Sequence, residues 1–239
     1  MFEIDDAIYL GYPGDSVKRA AQLRSRVTGA ADAADLVTTT TELLAIDLRK
    51  LSASPVAVFA GPYPKPRPSN VVEREGLVWL GSPSTFSNTD VVRAAVRNEP
   101  SLSLCLVGAP TSGTPHPNIS MVVWSPDAEN EALARSRVGV MPQYSDRWSD
   151  RKAAYKVLEY LAAGLVPVAT DCAPVRAALG PETEGLCFLV PPDSDAYAWR
   201  DIIEKANNFV PDDGWRAARE RVASRLAPET FCAIVLGEE

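Results

Sequence analysis

Short apolar runs alternate with amphipathic stretches over most of this chain. Beyond residue 75 the apolar runs predict six strands, at LVWLG (77–81), SLSLCLVG (101–108), MVVWS (121–125), VGVMP (138–142), VPVAT (166–170) and LCFLV (186–190). Helical patterns lie between them at VVRAAVRN (91–98), ENEALARS (129–136) and near VRAAL (175–179), and two closing helices follow at 196–208 and 213–226. This alternation indicates an α/β fold in which helices cover both faces of a parallel sheet.

The first third of the chain also alternates predicted strands with predicted helices, but it contains fewer of them. Its predicted order is a strand at FEIDDAIYL (2–10), a helix over 15–33, a strand at LVTTT (36–40), a helix at TELLAIDLRKL (41–51) and a strand at PVAVFA (55–60). GPYPKPRPSN (61–70) then places four prolines within ten residues, which predicts a stiff, extended connector. We therefore divide the chain into a partial N-terminal α/β segment, 1–66, and a second domain, 67–239.

The stretch from 145 to 174, SDRWSDRKAAYKVLEYLAAGLVPVATDCAP, predicts a helix with two different faces. At 100° per residue one side collects apolar residues, namely Ala154, Val157, Leu158, Leu161 and Ala162. The opposite side collects polar ones, namely Lys152, Tyr155, Lys156 and Glu159. Gly164 is expected to end the helix before the strand VPVAT begins.

Two lysines one turn apart on a helix repel each other by roughly 0.2–0.5 kcal/mol. Glu159 offsets part of this repulsion between Lys152 and Lys156, and an anion near the helix N-terminus would offset the rest. The alternative interpretation is an ordinary surface helix whose charged face is solvated. Loops that leave parallel strands gather at one edge of the sheet, where ligands bind, so GSPST (81–85), WSPDAE (124–129) and MPQYSDRWSDRK (141–152) are expected to meet there.

Composition narrows the classes of function. The chain is 46% apolar and 23% charged, as in ordinary globular proteins, and its net charge of −7 argues against general nucleic-acid binding. Four scattered cysteines show no metal-ligand spacing, and a single histidine, His116, argues against Ser-His-Asp and Cys-His hydrolases. No GxGxxG or Walker loop follows a strand. With no signal peptide and no apolar run of about 18 residues, we expect a cytoplasmic protein without a membrane span.

Several blocks of sequence, in order, resemble a known family. WLGSPST, LCLVG, VVWS, LARSRVGVMP and W-S-x-x-K-x-x-Y-K-x-L-E-Y-x-A-A-G-x-x-P-V are similar to the C-terminal domain of GT-B glycosyltransferases of the family-4, or group 1, type. The resemblance covers about residues 70–205, and the opening segment resembles the end of the N-terminal domain. It implies a Rossmann-like domain that binds a nucleoside-diphosphate sugar, an acceptor held between two domains, and no cofactor or metal.

The resemblance also implies how the donor diphosphate is bound. Gly81 would allow close approach of the backbone, because glycine has no side chain, and the following residues Ser82, Pro83, Ser84 and Thr85 would lie beside it. Lys152 and Lys156 would face the diphosphate and supply the positive charge that departure of the leaving group needs.

The remaining site residues follow from the same resemblance. Trp124 and Ser125 would lie near the nucleobase, and Pro142 and Tyr155 would complete the donor site. Glu159 matches the second glutamate of the family's paired-glutamate motif and would accept hydrogen bonds from the ribose hydroxyls. Asp5 and Asp6 are candidates for shaping the cleft between the domains.

The chain departs from the family pattern in three places. Arg151 stands where the first glutamate of the paired motif would fall, although Lys152 fits a family variant with lysine at that place. The loop after LVWLG carries no cation before Arg93, where the family usually has an arginine and a lysine. Only about 65 residues precede the connector, so most of the acceptor-side domain has no counterpart.

These features support a leading hypothesis and two alternatives. The first is a glycosyltransferase that moves a hexose from a nucleoside diphosphate to an unknown sugar, lipid or small-molecule acceptor, and the resemblance alone implies that it retains the configuration of the sugar. The second is a non-catalytic or partner-dependent subunit, in which another chain or a second copy completes the N-terminal domain. The third is a nucleotide-sugar epimerase of the same fold, against which the near absence of histidine counts.

Overall fold

The computed structural model describes residues 1–12, 14–67, 73–110 and 116–237, and it begins with a small parallel sheet. Three short strands form this sheet in the order β1-β2-β3: β1 Phe2–Glu3, β2 Val37–Thr39 and β3 Val56–Val58. The helices α1 Val17–Asp32 and α2 Glu42–Leu51 connect them. Both predicted helices are confirmed, and each begins at a hydroxyl that accepts a backbone N–H, from Ser16 and Thr41 respectively.

The larger sheet contains six parallel strands. These are β4 Leu77–Leu80, β5 Leu104–Val107, β6 Ile119–Val122, β7 Val138–Met141, β8 Val166–Thr170 and β9 Phe188–Val190. Their spatial order is β6-β5-β4-β7-β8-β9, which is the doubly wound Rossmann order. The chain adds strands toward one edge of the sheet from β4 to β6 and toward the other edge from β7 to β9, so a topological switch point lies between β4 and β7. Such a switch point opens a crevice at the carboxyl ends of the strands.

Helices cover both faces of this sheet, as the alternating pattern predicts. They are α3 Asp90–Arg97, α4 Pro126–Arg135, α5 Tyr155–Ala162, α6 Ala173–Leu179, α7 Thr183–Leu186, α8 Ala196–Asn208, α9 Asp213–Arg225 and α10 Pro228–Leu236. One buried cluster contains Leu133, Leu158 and Val222 from α4, α5 and α9. The other contains Val92 and Ile203 from α3 and α8, so the sheet separates two cores.

Several predicted boundaries are wrong. The first strand ends at Glu3 rather than Leu10, because the chain turns at Asp6, whose carbonyl accepts the Ile8 N–H at 2.8 Å. The strand expected at 121–125 instead spans Ile119–Val122, which leaves Trp124 outside the sheet. Residues Pro83–Thr89 form a 3₁₀ helix rather than a loop, and α10 had no sequence prediction.

The end of α5 is confirmed at Gly164. This glycine has a φ of 77°, its N–H donates to the Leu161 carbonyl at 2.9 Å, and the next N–H, of Leu165, donates to the Tyr160 carbonyl at 2.9 Å. The two bonds form a Schellman motif, in which a left-handed residue closes the last turn. The helix therefore ends shortly before β8, which begins at Val166.

The proline-rich connector lies against the second domain as far as residue 67. The Tyr63 N–H donates to the Leu226 carbonyl at 2.7 Å, and the Arg67 N–H donates to the Ala162 carbonyl at 3.1 Å. Residues 68–70 of the connector lie outside the described residues. The division at 66/67 stays a prediction.

Candidate functional site

The candidate site lies at the switch point between β4 and β7. The two strands pair only at Leu77–Val138 and Val78–Gly139, and beyond these pairs they diverge. The Tyr160 hydroxyl lies in the gap, where it accepts the Leu80 N–H at 3.2 Å and donates to the Val140 carbonyl at 3.1 Å. One buried side chain thus satisfies both backbone groups that the divergence leaves unpaired, and the crevice opens beyond it.

A cavity of about 490 Å³ occupies this crevice. Its wall combines the loops after β4 and β7, the start of α5 and the N-terminal segment. The predicted site residues that line it are Asp6, Ser84, Thr85, Pro142, Lys152 and Lys156. The loops after β4 and β7 meet at one edge of the sheet, as expected from its parallel strands.

Lys156 lies in the first turn of α5 at the base of this cavity. Its Nζ is 5.9 Å from the centroid of the buried Trp79 ring. Burial lowers the pKa of Lys156 below its ordinary value, the neighbouring Lys152 lowers it further, and Glu159 and Asp6 act in the opposite direction. Among the described residues no carboxylate lies within 4 Å of this ammonium group. The cavity therefore holds a desolvated cation that an anionic ligand could neutralise.

Lys152 reaches the same cavity from outside the helix. The residue follows the 3₁₀ turn Ser149–Arg151 and has an extended backbone, with φ −77° and ψ 146°, so the prediction that it shares a helical face with Lys156 is wrong. The chain cannot continue as one helix from 149 to 162 because Ala154, just before α5, has a ψ of 44°. Lys152 Nζ lies 3.5 Å from Asp6 Oδ1, whereas the neighbouring Asp5 is exposed and does not line the cavity.

The loop after β4 is shaped by short-range hydrogen bonds. The Ser82 N–H donates to Thr85 Oγ1 at 3.3 Å, and the Ser82 and Ser84 hydroxyls are 2.8 Å apart. Ser82 and Pro83 are exposed beside the cavity rather than in its wall. Arg93, the first cation after this loop, is already engaged: its Nε donates to Thr89 Oγ1 at 3.0 Å.

Gly81 has a structural role that the sequence did not indicate. A Cβ at this position would lie 2.0 Å from the Trp79 ring. Gly108 has a φ of 82°, and a Cβ there would lie 2.1 Å from the Gly81 carbonyl oxygen. The two glycines thus allow the loops after β4 and β5 to pass close to each other above Trp79.

A second group of side chains lies beside α5 and outside the cavity wall. Glu129 Oε2 accepts a hydrogen bond from Trp124 Nε1 at 2.8 Å, and Glu129 Oε1 is 2.7 Å from Arg67 Nη1. The same guanidinium reaches Glu159 Oε1 at 3.6 Å. Trp124 and Glu159, assigned to the nucleobase and the ribose, are therefore linked through Glu129 and Arg67.

The electrostatics of this group favour a ligand for Glu159. Burial raises the pKa of Glu159 above its ordinary value, the nearby Glu129 raises it further, and Arg67 and Lys156 lower it. The pKa of the Tyr155 hydroxyl is also raised, by burial and by the nearby Glu159. One arginine thus serves two half-buried carboxylates, which leaves Glu159 with capacity to accept further hydrogen bonds.

Ser125 has another role in this structure. Its Oγ accepts the Ala128 N–H at 3.1 Å and so caps the N-terminus of α4. This bond orients the start of the helix that carries Glu129, the next turn along. Ser125 therefore helps to place the group around Trp124.

Sequence reasoning missed Arg67 and Glu129. Arg67 lies in the proline-rich connector, and Glu129 lies in a helix whose polar residues look like a solvated face. The signal that could have found Glu129 is its position four residues after Ser125, on the turn that faces Trp124. No comparable signal marks Arg67, since its partners are 62 and 92 residues away in sequence.

The described part of the chain contains neither a metal-ligand cluster nor a membrane-spanning helix. Within those residues no group of three or more His, Cys, Asp or Glu side chains is placed to hold a metal ion. The described helices likewise include none that is both long and apolar enough to cross a membrane.

The switch-point cavity and the doubly wound sheet, next to a smaller α/β segment, define a protein of the GT-B class. The family model described as glycosyl transferases group 1 matches residues 87–206, half of the chain, and the protein belongs to this family. The matched region begins in the loop after β4 and ends within α8, so it includes both lysines and Glu159. No match was found among curated proteins.

Solved structures share the fold at low sequence identity. Sucrose-phosphate synthase from Thermosynechococcus elongatus is 18% identical with a TM-score of 0.69, over 98% of this chain and 65% of the synthase. A UDP-forming α,α-trehalose-phosphate synthase from Burkholderia xenovorans is 12% identical with a TM-score of 0.61, over 91% of this chain and 63% of its own. A glycosyltransferase from Rickettsia africae is 13% identical with a TM-score of 0.61, over 91% and 66%. This chain thus spans less than two thirds of these structures.

Proposed function

We propose that this chain binds a nucleoside-diphosphate hexose and transfers the hexose, with retention of configuration, to an acceptor in the cleft between the two sheets. The observation that carries the proposal is the pair of ammonium groups, Lys152 and Lys156, in the cavity at the switch point. A departing diphosphate carries negative charge that develops as the glycosidic bond breaks. Cations already held in a partly desolvated cavity stabilise that charge without having to reorganise.

The two lysines have different environments, which divides their roles. Lys156 is desolvated and has no carboxylate within 4 Å among the residues that the structure describes, so a diphosphate would restore the charge interaction that burial removes. Lys152 is 42% exposed and paired with Asp6, so its ammonium can turn from that carboxylate to a ligand. Lys156 is therefore the principal phosphate ligand of the proposal, and Lys152 the assisting one.

The nucleoside would extend from the cavity toward Trp124 and Glu159. Trp124 is 55% exposed although its indole N–H is fixed by Glu129, so the ring is held in place and still accessible to solvent. An aromatic face of this kind can stack on a base. Glu159 can accept hydrogen bonds from two adjacent ribose hydroxyls.

Substituting the principal phosphate ligand tests this proposal. Lys156→Ala is expected to weaken UDP or GDP binding at least tenfold, about 1.4 kcal/mol, and to leave uridine or guanosine binding unchanged. Thermal shift gives the affinities, since a hundredfold excess over Kd stabilises the folded state by about 2.7 kcal/mol. Lys205→Ala, an exposed lysine on α8, is the matched control. Equal losses for nucleotide and nucleoside would contradict the phosphate role, and no stabilisation of the wild-type protein by either nucleotide would contradict donor binding.

A second candidate is a nucleotide-sugar-binding subunit that needs a partner chain for transfer. One observation favours it: residues 81–89 after β4 carry no cation, and Arg93, the first cation beyond them, is engaged by Thr89. One of the solved structures that shares the fold is itself a complex, described as GtfA/B.

Donor turnover separates the two candidates. A catalytic chain releases UDP or GDP from a nucleotide sugar when an acceptor extract is added, and Lys156→Ala abolishes this release. A partner-dependent subunit binds the same donor and releases nothing until the partner is supplied.

A further inference from the structure

We infer that Asp47, assisted by Tyr9, is a positioning residue for the diphosphate site, because it fixes Arg151 and thereby the backbone that carries Lys152. The inference rests on the proposed function, since it takes Lys152 to be a donor ligand. It assigns to the N-terminal segment a part in donor binding, although the family match begins only at residue 87.

The contact between Asp47 and Arg151 is short and largely shielded from water. Arg151 Nε lies 2.6 Å from Asp47 Oδ2, and the two side chains are only 16% and 17% exposed. The Tyr9 hydroxyl donates to the same carboxylate oxygen at 2.6 Å. Burial alone would raise the pKa of Asp47, but the hydrogen bonds from Arg151 and Tyr9 outweigh it and hold that pKa below its usual range. The carboxylate is therefore ionised throughout the neutral range.

The backbone around Arg151 is held as well as its side chain. Thr41 Oγ1, at the N-terminus of α2, donates to the Arg151 carbonyl at 3.1 Å, and Arg151 Nη1 donates to the Arg147 carbonyl at 2.9 Å. Trp148 packs against the core of the N-terminal segment, and its ring centroid is 5.0 Å from that of Tyr12. With the Asp47–Arg151 pair, the contacts of Thr41 and Tyr12 thus join residues 147–151 to the N-terminal segment at three places.

Lys152 follows Arg151 directly in the chain. Consecutive Cα atoms are about 3.8 Å apart, so fixing the side chain and carbonyl of one residue restricts where the next can point. The Lys152 backbone is extended and lies outside α5, so no hydrogen bond of that helix fixes its direction, and its N–H donates to the Ser149 carbonyl at 3.2 Å in the 3₁₀ turn that ends at Arg151. The position of its ammonium in the cavity depends instead on the contacts one residue earlier.

The charge at position 151 fits a positioning role and not a ligand role. The resembled motif has a glutamate there, and arginine reverses that charge. Asp47 supplies the complementary acid from α2, 104 residues away, and this pairing uses the guanidinium edge that a phosphate would otherwise occupy. Arg151 does not line the cavity.

The test compares Asp47→Asn with a matched control on the same helix. Glu42→Gln is the control, because the Glu42–Arg49 ion pair on α2 is exposed and does not include Arg151. Asp47→Asn is expected to increase hydrogen exchange of the amides of residues 147–152, to weaken UDP or GDP binding about tenfold and to leave uridine or guanosine binding unchanged. Tyr9→Phe removes one of the two short hydrogen bonds, so a smaller change in the same direction is expected from a variant that keeps the ring.

Rescue distinguishes positioning from general destabilisation. The charge-swapped pair Asp47→Arg with Arg151→Asp should recover nucleotide affinity that each single change loses. Unchanged exchange at 147–152 in Asp47→Asn, unchanged nucleotide affinity, or equal loss of nucleotide and nucleoside would overturn the inference. If the wild-type protein binds neither UDP nor GDP, the proposed function fails and this inference with it; if the wild type binds and Asp47→Asn binds equally well, only the inference fails.

Discussion

At the scale of single residues, Lys156, the proposed phosphate ligand, is a desolvated cation that reduces the stability of the folded protein. Its pKa is lowered chiefly by burial and next by Lys152, so the charged form is disfavoured in the folded state. Between the lowered pKa and the ordinary value of 10.5, the unfolded chain binds a proton that the folded chain does not. Stability therefore rises with pH across that interval, and below it the penalty of the buried charge is complete.

Lys156→Met should accordingly stabilise the protein when no ligand is present. The substitution keeps a long side chain beside Trp79 and removes the buried charge. We expect a higher midpoint of thermal unfolding at pH 7 and a smaller difference from the wild type at pH 10.5, because the lowered pKa leaves Lys156 less protonated in the folded than in the unfolded state at that pH. Lys205→Met, at an exposed site, should shift the midpoint little at either pH. A lower midpoint for Lys156→Met at pH 7 would show that other groups in the folded protein already stabilise the charge of the ammonium group.

At the scale of elements, Tyr160 connects α5 to the two strands that diverge. The ring packs on Gly139 of β7, where a Cβ would lie only 2.2 Å from a ring carbon. The hydroxyl then bonds the Leu80 N–H and the Val140 carbonyl. The apolar face of α5 thus contains Tyr160, and the side chain of this residue separates β4 from β7 and keeps the crevice open.

Tyr160→Phe should destabilise the protein with little change in packing. The substitution leaves two buried backbone groups without partners, and each such group costs about 1–3 kcal/mol. Urea unfolding is expected to show a loss of at least about 1 kcal/mol. Tyr197→Phe is the control, because Tyr197 is 65% exposed on α8. Equal stability of Tyr160→Phe and the wild type would mean that water replaces the hydroxyl.

At the scale of the whole molecule, the last helix returns to the first part of the chain. The Phe231 ring of α10 lies 5.3 Å from the ring of Phe59, which follows β3. The connector begins at this place, where the Tyr63 N–H donates to the Leu226 carbonyl. The C-terminal end of the chain and the Asp47–Arg151 pair therefore join the two sheets at different points.

Phe231→Ala should weaken this junction. Phe231 is half-buried, so loss of its ring is expected to reduce the free energy of unfolding by up to about 2 kcal/mol. Leu236→Ala, on the same helix but 67% exposed, should change it by less than about 0.5 kcal/mol. Chemical denaturation of both variants measures the difference. Equal effects would show that α10 stabilises the protein through its helix alone and not through this contact.

The local sequence pattern was sufficient to predict the structure where residues close in sequence determine it. The helix 42–51 begins at a threonine cap and α5 ends at a glycine, and both signals are contained within a few residues. The start of α5 could not be predicted in this way. Residues 149–154 have helical spacing, but Arg151 is held by Asp47 and Thr41, and these contacts favour an extended backbone at Lys152 over a continuous helix.

The sequence alone determined the α/β class, the six strands of the larger sheet and the family, because period-2 and period-3.6 patterns and motif order depend on nearby residues. Only the tertiary structure decided that Lys152 enters the cavity from a non-helical turn, that Arg67 and Glu129 connect Trp124 to Glu159, and that Arg151 pairs with Asp47. The ion pairs of Arg67 and Arg151 join residues 62 to 104 positions apart. Such pairs form only when the folded sheet brings their residues together, so no periodic pattern in the local sequence predicts them.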